Sequence, residues 1–236
     1  MADYYDYAGY GAFKGTAGAS RLAGLARRLG LRDRHLRYVE HARKDLPVLE
    51  IGCGAGEFVK AMRDAGFRDV RGIDLSPTYV MTEGCEIADA AQFLDTLQPG
   101  SLGLVVALDV FEHFDRSELM ALLALIKERL HEEGRLIFRV PNMASPLGLA
   151  LYFGDLSHRL PMNETSVRQL AFDAGLEVVC VRKSPQAYPR SLATLLGYLA
   201  WPIYNGLTRL ALASFGIRHI ILTPNLIAET RLARPR

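Results

Sequence analysis

The sequence predicts an α/β fold in which a doubly wound, mostly parallel sheet of seven strands is covered by helices on both faces. Short apolar segments alternate with helix-like segments along most of the chain, and the connections between them are short. Parallel strands need crossover connections, and the helices in these crossovers bury both faces of the sheet. Half of the 236 residues are hydrophobic, which is enough to form a sizeable core.

The strands are predicted from short runs of apolar residues that end at glycine, proline or polar residues. The run over residues 104–108 is strongly apolar, as expected of a strand that is buried on both faces. Residues 85–88 form a weaker candidate. The full set in chain order is 48–51, 70–73, 85–88, 104–108, 136–140, 176–182 and 226–232.

The helices are predicted from apolar residues spaced three and four positions apart. Residues 116–130 give the clearest pattern, and Asp115 is placed to cap the first turn of that helix. Its predicted apolar face consists of Leu119, Leu122, Leu123, Ile126 and Leu130. The other predicted helices are residues 19–43, 56–65, 76–82, 89–97 and 165–174.

The chain shows no repeat and no clear linker, so the simplest prediction is a single domain. Residues 1–44 form an N-terminal arm and helix, 45–189 the core, 190–222 an apolar helical insertion, and 223–236 the last strand and tail. Both ends are basic and the core is acidic, which favours an anionic partner at the ends or else a solvated surface. The three cysteines are scattered and the N-terminus lacks a signal-peptide pattern, so we expect a cytoplasmic protein.

A glycine-rich loop is the strongest local signal in the sequence. Residues 50–56, Glu-Ile-Gly-Cys-Gly-Ala-Gly, directly follow the first predicted strand and open the next helix. Glycines at this junction let the chain turn tightly and let a ligand approach the backbone. Asp74 lies at the end of the second strand, where a carboxylate can accept hydrogen bonds from both hydroxyls of a ribose. Together these features predict a site for a nucleoside-containing cofactor.

Four segments resemble the motifs of class I S-adenosylmethionine-dependent methyltransferases. The family's first motif is matched by VLEIGCGAGEF, the second by GIDLSP, the third by CEIADAAQFL and the fourth-strand motif by LVVALDVFEHF. The resemblance covers roughly residues 45–182, and its motifs are specific as a set. It implies a Rossmann-like sheet with an antiparallel last strand, S-adenosylmethionine as cofactor and S-adenosylhomocysteine as product.

The resemblance also implies roles for individual residues. Glu50 would lie beneath the methionine part of the cofactor and orient the loop or the ammonium group. Asp74 would hold the ribose, and Asp89 would accept a hydrogen bond from the adenine amino group. Taken alone, Glu50 or Asp109 could equally be a strand-end acid that makes a local cap. The remaining implied contacts are Gly52, Cys53, Gly54 and Gly56 at the methionine part, Leu75 and Ala90 at the adenine, and backbone near Leu108 and Asp109 at the methionine end.

Two histidines are placed to take part in the chemistry. Methyl transfer to a hydroxyl benefits from a general base, and histidine suits this role because its pKa lies near neutrality. His113 lies just past the fourth strand, at the sheet edge where ligands gather in such folds. His158 lies in the loop after the fifth strand, which covers the acceptor pocket in the resembled family. We predict both as catalytic residues; the alternatives are packing, helix capping or a surface position.

Two further features bear on the site. We predict no metal, because Asp109, Glu112 and Asp155 could bind Mg²⁺ only if their separate loops converged.

The tyrosine-rich N-terminal arm could close over the cofactor, since aromatic rings attract a sulfonium by cation–π interaction, or it could lack fixed structure. The tyrosines concerned are Tyr4, Tyr5, Tyr7 and Tyr10.

The insertion before the last strand is strongly apolar. Residues 191–208 carry no charged side chain, but Pro202 interrupts them, so we predict two short amphipathic helices, one before Pro202 and one around residues 207–215. The composition of residues 191–217 is typical of an interfacial segment, which would give peripheral membrane contact; a pocket cap or a dimer contact is the alternative. This tail is also similar, though less specifically, to methyltransferases of bacterial polysaccharide and lipopolysaccharide assembly.

The predicted function is O-methylation of a hydroxyl on a sugar or glycan. A small lipophilic acceptor, such as a quinone precursor, would use the same cofactor site with the insertion as a lid. A cofactor-binding module without catalysis is the alternative from another class, and the intact glycine loop does not by itself prove turnover. A nucleic-acid acceptor is not favoured, because the fourth motif lacks an N-P-P-Y-type sequence. The oligomeric state stays open.

Overall fold

The computed structural model describes residues 36–76, 82–184, 192–217 and 220–233. Its strands are β1 (Val48–Ile51), β2 (Val70–Asp74), β3 (Cys85–Ile87), β4 (Leu102–Leu108), β5 (Leu130–Pro141), β6 (Leu176–Lys183) and β7 (Asn225–Leu232). They form one sheet in the order β3-β2-β1-β4-β5-β7-β6. Strands β1 to β5 are parallel, whereas β7 is antiparallel to both of its neighbours. The prediction of a mostly parallel, Rossmann-like sheet with an antiparallel last strand is therefore confirmed.

Six α-helices are found within the described ranges. They are α1 (Glu57–Asp64), α2 (Ala90–Asp95), α3 (Arg116–Arg129), α4 (Pro146–Phe153), α5 (Glu164–Asp173) and α6 (Leu192–Ala213). Two short 3₁₀ turns, Leu36–Tyr38 and Phe111–His113, complete the regular structure. The second of these turns directly follows β4 and carries one of the two predicted catalytic histidines.

The core lies on both faces of the sheet because successive strand residues point to opposite sides. On β1, Val48 belongs to one buried cluster and Leu49 to the other. Helix α1 packs on the side of Val48, and α3 packs on the side of Leu49. The predicted apolar face of α3 is confirmed for four of its five residues, which are buried on the helix; the fifth, Leu130, is buried at the start of β5. The carboxyl ends of β1, β2 and β4 are thereby held rigidly side by side.

The segment before β1 is attached to the far edge of the sheet by polar contacts. The Tyr38 hydroxyl donates to the Lys183 carbonyl at 3.0 Å, and His41 Nε2 lies 2.8 Å from Glu229 Oε1. The buried Glu229 carboxylate also accepts from Arg182 at 3.0 Å. A buried carboxylate is tolerated when it is paired in this way. His41 therefore helps to attach this segment to the sheet.

Several predicted boundaries were wrong. Strand β5 begins at Leu130, where pairing with Leu102 ends α3, and not at residue 136. The predicted helix over 19–43 contributes only a 3₁₀ turn and a bend within its described part, which begins at residue 36. Most of the predicted helix over 76–82 lies outside the described residues, as does the tyrosine-rich arm.

The helical content after β5 also differs from the prediction. Helix α4 was missed, although Ser145 accepts from the Leu147 amide as an N-cap and Pro146 occupies the first turn. The insertion forms the single helix α6 and not two helices. Pro202 removes one amide donor from its middle, but the leucine- and alanine-rich residues around it are strong helix formers, and the helix continues.

Helix α5, which follows the loop of His158, begins with a reciprocal cap. The Asn163 side chain accepts from the Ser166 amide at 3.0 Å, and the Ser166 hydroxyl accepts from the Asn163 amide at 2.8 Å. Two amide groups at the helix start that would otherwise lack a partner are thereby satisfied. The cap fixes the point at which this loop ends.

We expect the Asn163→Ala substitution to lower the free energy of unfolding by about 0.5–2 kcal/mol, because the amide of Ser166 loses its acceptor. Urea denaturation measures this change. The matched control is Asn163→Ser, which keeps an oxygen acceptor and should lose much less. Equal stability of the alanine variant and the unaltered protein would show that the cap contributes nothing.

Candidate active site

The loop between β1 and α1 turns through three left-handed glycines. The φ angles of Gly52, Gly54 and Gly56 are 72°, 52° and 72°, a region that other residues avoid. The Ile73 carbonyl accepts from the Gly52 amide at 2.8 Å and from the Cys53 amide at 3.0 Å. The loop is therefore hydrogen-bonded to β2 directly after the end of β1.

The three glycines are needed for different reasons. A Cβ atom at Gly52 would lie 2.3 Å from Val110 Cγ2, and one at Gly56 would lie 2.5 Å from Thr82 Cβ. At Gly54, by contrast, no atom of the described residues lies within 4 Å of that position. Gly52 and Gly56 thus permit close packing of protein on protein, whereas Gly54 borders open space. A ligand can reach the backbone at Gly54.

Asp74 lies against this opening. Its Oδ2 atom accepts from the Gly54 amide at 2.9 Å, and its Oδ1 atom accepts from the Ser76 amide at 2.8 Å. Each carboxylate oxygen can accept further hydrogen bonds, so a ribose can be bound without breaking these contacts. The structure thus brings together the glycine loop and the acid that the sequence paired.

Apolar side chains lie exposed beside Asp74. Leu75 is 40% exposed, and Ile87, which pairs with Asp74 across the β2–β3 ladder, is 57% exposed. Exposed apolar residues at the end of buried strands are suited to contact a flat apolar group such as a purine. Ile87 was not predicted as a site residue, because β3 is short and only weakly apolar.

Asp89 and Ala90 lie at the start of α2, beyond β3. The Asp89 Oδ1 atom accepts from the amides of Ala91 and Gln92, both at 3.0 Å, and so caps the helix. Both capping contacts use the same oxygen. The cap therefore orients the carboxylate and does not conflict with a bond from its second oxygen to a purine amino group.

Glu50 and Cys53 are both buried. Glu50, which is 3% exposed, lies in β1 between Gly72 of β2 and Val106 of β4. The Cys53 side chain packs against Gly72, and burial raises the pKa of its thiol well above the usual range. The Cys53 side chain therefore belongs to the core, beside Gly72.

The chain bends just after β4, where Leu108 is half-buried. Asp109 has a φ of 59°, in the left-handed region that non-glycine residues seldom occupy. Its carboxylate accepts from Arg139 Nε at 2.7 Å and from a second nitrogen of the same guanidinium. The side chain is thus directed to Arg139, and the turned backbone faces the glycine loop through Val110. Strained backbone of this kind is concentrated at functional sites.

The two predicted catalytic histidines come together next to this turn. The ring centroids of His113 and His158 lie 4.7 Å apart, although 44 residues of chain separate them. The backbone joins their two loops, because the Glu112 carbonyl accepts from the amides of Arg159 and Leu160 at 2.7 and 3.1 Å. Neither histidine lies isolated on the surface, so that alternative is wrong.

Hydrogen bonds fix the protonated nitrogen of each ring. The Ser157 hydroxyl donates its one proton to Asp155 Oδ1 at 2.6 Å, so its oxygen accepts from His113 Nδ1 at 2.9 Å. His158 Nδ1 lies 2.8 Å from the Tyr152 carbonyl, which can only accept. Both rings thus carry a proton on Nδ1, and in the neutral form Nε2 carries the lone pair.

Buried carboxylates surround these rings. His158 Nε2 lies 3.7 Å from Asp155 Oδ2 and 4.0 Å from Glu112 Oε1. Glu112 is 1% exposed and Asp155 is 5% exposed. Burial and then the charge of Glu112 raise the pKa of Tyr152. We call Glu112, His113, Asp155, Ser157 and His158 the histidine cluster.

The acids considered for a metal do not all converge. Asp109 is held by Arg139, whereas Glu112 and Asp155 both approach His158. Tyr152 and Ser157 were not predicted as site residues, because each acts by orienting a histidine and belongs to a helix or loop that the sequence pattern left unassigned. The N-cap and proline at the start of α4 were the signal that could have placed Tyr152.

A sheet of this strand order, with a glycine loop after its first strand and a carboxylate at the end of its second, defines a Rossmann-like protein that binds a nucleoside-containing cofactor at the carboxyl ends of its strands. A family model described as a methyltransferase domain matches residues 24–181. The chain therefore belongs to the methyltransferase-domain family, and it is an S-adenosylmethionine-dependent methyltransferase.

Solved structures agree on the fold. The chain is similar to a SAM-dependent methyltransferase from Archaeoglobus fulgidus, with a TM-score of 0.65 and 20% identity over 97% of this chain and 100% of that one. It is also similar to an S-adenosylmethionine-dependent methyltransferase from Clostridium acetobutylicum, with a TM-score of 0.57 and 10% identity over 91% and 98% of the two chains. A comparison with curated protein sequences gives no significant match.

The contrast between two loop glycines gives a test of the loop. We expect Gly54→Ala to fold with a modest loss of stability, about 1–2 kcal/mol for the left-handed backbone, but to lose affinity for S-adenosylhomocysteine because the new methyl group enters the open space. Gly52→Ala should lose more stability, since its methyl group also overlaps Val110. Calorimetric titration and urea denaturation of both variants measure these effects. Full cofactor affinity in Gly54→Ala would show that the opening is not the binding site.

Proposed function

We propose that this methyltransferase transfers the methyl group of S-adenosylmethionine to a hydroxyl of a sugar or glycan. The observation that carries the proposal is the histidine cluster, which lies beside the turn after β4. Val110 in that turn contacts Gly52 and so joins the cluster to the glycine loop. Groups able to take up a hydroxyl proton are thereby close to the loop that faces the methionine part of the cofactor.

We assign the cofactor contacts from the geometry of the loop and its neighbours. Gly52, Gly54 and Gly56 present backbone to the methionine part, with Glu50 beneath them and the Asp109 backbone beside them. Asp74 binds the ribose hydroxyls. Leu75 and Ala90 flank the adenine, and Asp89 accepts from its amino group. The open space at Gly54 and the orientation of Asp74 toward it support this placement.

The reaction needs the acceptor oxygen in line with the sulfonium methyl group. The new O–CH₃ bond forms as the S–CH₃ bond breaks, and the sulfur keeps the electron pair as S-adenosylhomocysteine. The hydroxyl proton passes to the histidine cluster and then to solvent. Placing the two reactants together supplies much of the rate, and proton removal adds to it. His113 is half-buried and His158 is nearly covered, so His113 is the one open to an acceptor.

The surface near the cluster favours an acceptor with an apolar portion. Leu156, two residues before His158, is 92% exposed, and exposed leucines continue along α4. Helix α6 exposes a further row of large apolar residues, among them Leu192, Leu196, Leu199, Ile203, Leu207 and Leu210.

In the part of the chain that is described, no helix has both the length and the hydropathy to cross a membrane. We propose that α6 lies along a membrane surface, as an interfacial helix does, and meets a lipid-linked glycan there.

A small lipophilic acceptor is the second candidate, and the same exposed apolar surface supports it. In that case α4 and α6 would cover a hydrophobic molecule such as a quinone precursor. One experiment separates the two candidates, because the transferred methyl group would be found on the glycan in the first case and on the lipophilic molecule in the second.

The experiment uses purified protein with S-adenosylmethionine labelled in its methyl group. The acceptors are free oligosaccharides, lipid-linked oligosaccharides in vesicles, and phenolic lipids, with protein and RNA as further samples. The proposal predicts an alkali-stable ether on the glycan, with lipid-linked acceptors preferred. Label on the phenolic lipid would favour the second candidate. Label only on protein, RNA or an amine would refute O-methylation of a glycan, and bound cofactor without any labelled product would favour a non-catalytic module.

We expect Asp74→Ala to weaken cofactor binding by about 1–3 kcal/mol, the value of a lost charged hydrogen bond. Calorimetric titration with S-adenosylhomocysteine measures the loss. Asp69→Ala is a matched control, because Asp69 precedes the same strand and pairs on the exposed surface with Arg71. Unchanged affinity in Asp74→Ala would contradict the ribose assignment.

The histidines should affect turnover more than cofactor binding. We expect His113→Ala and His158→Ala each to lower kcat by about 10²-fold or more, the usual contribution of general acid–base catalysis, with the Kd for S-adenosylhomocysteine changed much less. His131→Ala, on a histidine outside the histidine cluster, serves as the control and should keep full activity. If both variants turned over as fast as the unaltered protein, neither histidine would take part in the reaction.

A further inference from the structure

We propose that Glu112, His113 and His158 bind a first-row divalent metal ion, Zn²⁺ or a close equivalent. One donor atom from each of the three side chains lies within 4.8 Å of the other two. Ligand atoms that share an ion at 2.0–2.2 Å lie roughly 3.4–4.4 Å apart, so small side-chain rotations bring this set to coordination distance. The expectation of no metal, which rested on acids dispersed along the chain, is replaced by this inference.

The orientation of the two rings supports metal binding. A metal-ligating histidine almost always donates its second ring N–H to a carbonyl or to a hydrogen-bonded acceptor, which directs the other nitrogen to the ion. His158 does so to the Tyr152 carbonyl, and His113 does so to Ser157, whose hydroxyl is in turn fixed by Asp155. The Nδ1 hydrogen bonds therefore fix the orientation of both rings.

The local charge also favours a cation. The carboxylates of Glu112 and Asp155 lie 4.0 and 3.7 Å from His158 Nε2, in a site largely closed to solvent. A divalent ion bound at His158 Nε2 and Glu112 would be attracted by both carboxylates, and burial strengthens that attraction.

The chemistry of the donors selects the kind of ion. Two imidazole nitrogens and one carboxylate suit Zn²⁺, Co²⁺ or Fe²⁺, whereas Ca²⁺ and Mg²⁺ prefer a shell of oxygen atoms. Three protein ligands leave a coordination position for a further ligand, which is the arrangement of a catalytic site.

The role of the ion in turnover rests on the proposed function. An acceptor hydroxyl at the remaining position would have its pKa lowered by the metal and would lose its proton to solvent more easily. The cluster would then prepare the nucleophile by coordination, with the histidines as ligands in place of a general base. Metal binding itself depends only on side chains of this chain, and can be measured without any acceptor.

The experiment titrates Co²⁺ and Zn²⁺ into purified full-length protein that has been treated with a chelator. We expect one equivalent of Zn²⁺ to bind by calorimetry and one of Co²⁺ to develop the visible absorption of a nitrogen- and oxygen-ligated ion, while Ca²⁺ gives no response. His158→Ala and Glu112→Gln should abolish this binding, and His131→Ala should retain it. Ser157→Ala should weaken it by about 10–100-fold, because His113 loses the partner that orients it.

The controls separate this inference from a folding defect and from the proposed function. Circular dichroism and the midpoint of urea denaturation without metal establish that each variant is folded, and Glu112→Gln preserves side-chain shape if His158→Ala does not fold. No stoichiometric binding, or binding that survives in both His158→Ala and Glu112→Gln, would overturn the metal site. Methyl transfer to a glycan at full rate after chelation would leave the proposed function standing and remove the ion from it. Metal binding without glycan methylation would support the metal site and contradict the proposed function.

Discussion

The hydrogen bond from the Gly54 amide to the Asp74 carboxylate is the contact on which the rest of the site depends. It exists because β1 and β2 are parallel neighbours, so that the loop leaving one strand and the acid ending the other meet at the same edge. The left-handed glycines turn the loop toward that edge. Gly52 then lies against Val110, and this second contact extends the same rigid frame to the end of β4. The glycine loop, Asp74 and the histidine cluster are thus positioned by the same part of the sheet.

Much of this frame could be predicted because it is encoded locally. The run Val48–Ile51, the glycines after it and Asp74 lie within one βαβ unit, where residue spacing alone fixes which groups meet. The clear period of α3 likewise predicted its buried face. In these cases the local pattern and the tertiary packing favour the same structure, which is the condition under which sequence patterns are most informative.

The remainder could not be predicted because it depends on distant or ambiguous segments. His113 and His158 were each identified by position after a strand, but their 4.7 Å approach is produced by backbone contacts of Glu112 with Arg159 and Leu160. Helix α4, which orients His158, is apolar on all sides and so lacks the amphipathic signal of a surface helix. Pro202 led to the opposite error: it predicted a break, but the strong helix formers on either side of it continue the helix.

The position of β7 has a consequence for how the protein folds. This strand comes last in the sheet's sequence order, yet it lies between β5 and β6 and is the strand through which β6 joins the sheet. During synthesis β6 therefore cannot pair with the sheet until residues 225–232 have been made. Until then its backbone groups are hydrogen-bonded to water. Non-local pairing of this kind is slow because the intervening chain must be ordered first. The half of the sheet that holds the cofactor loop is complete well before that step, so the protein can acquire its cofactor frame before its far edge closes.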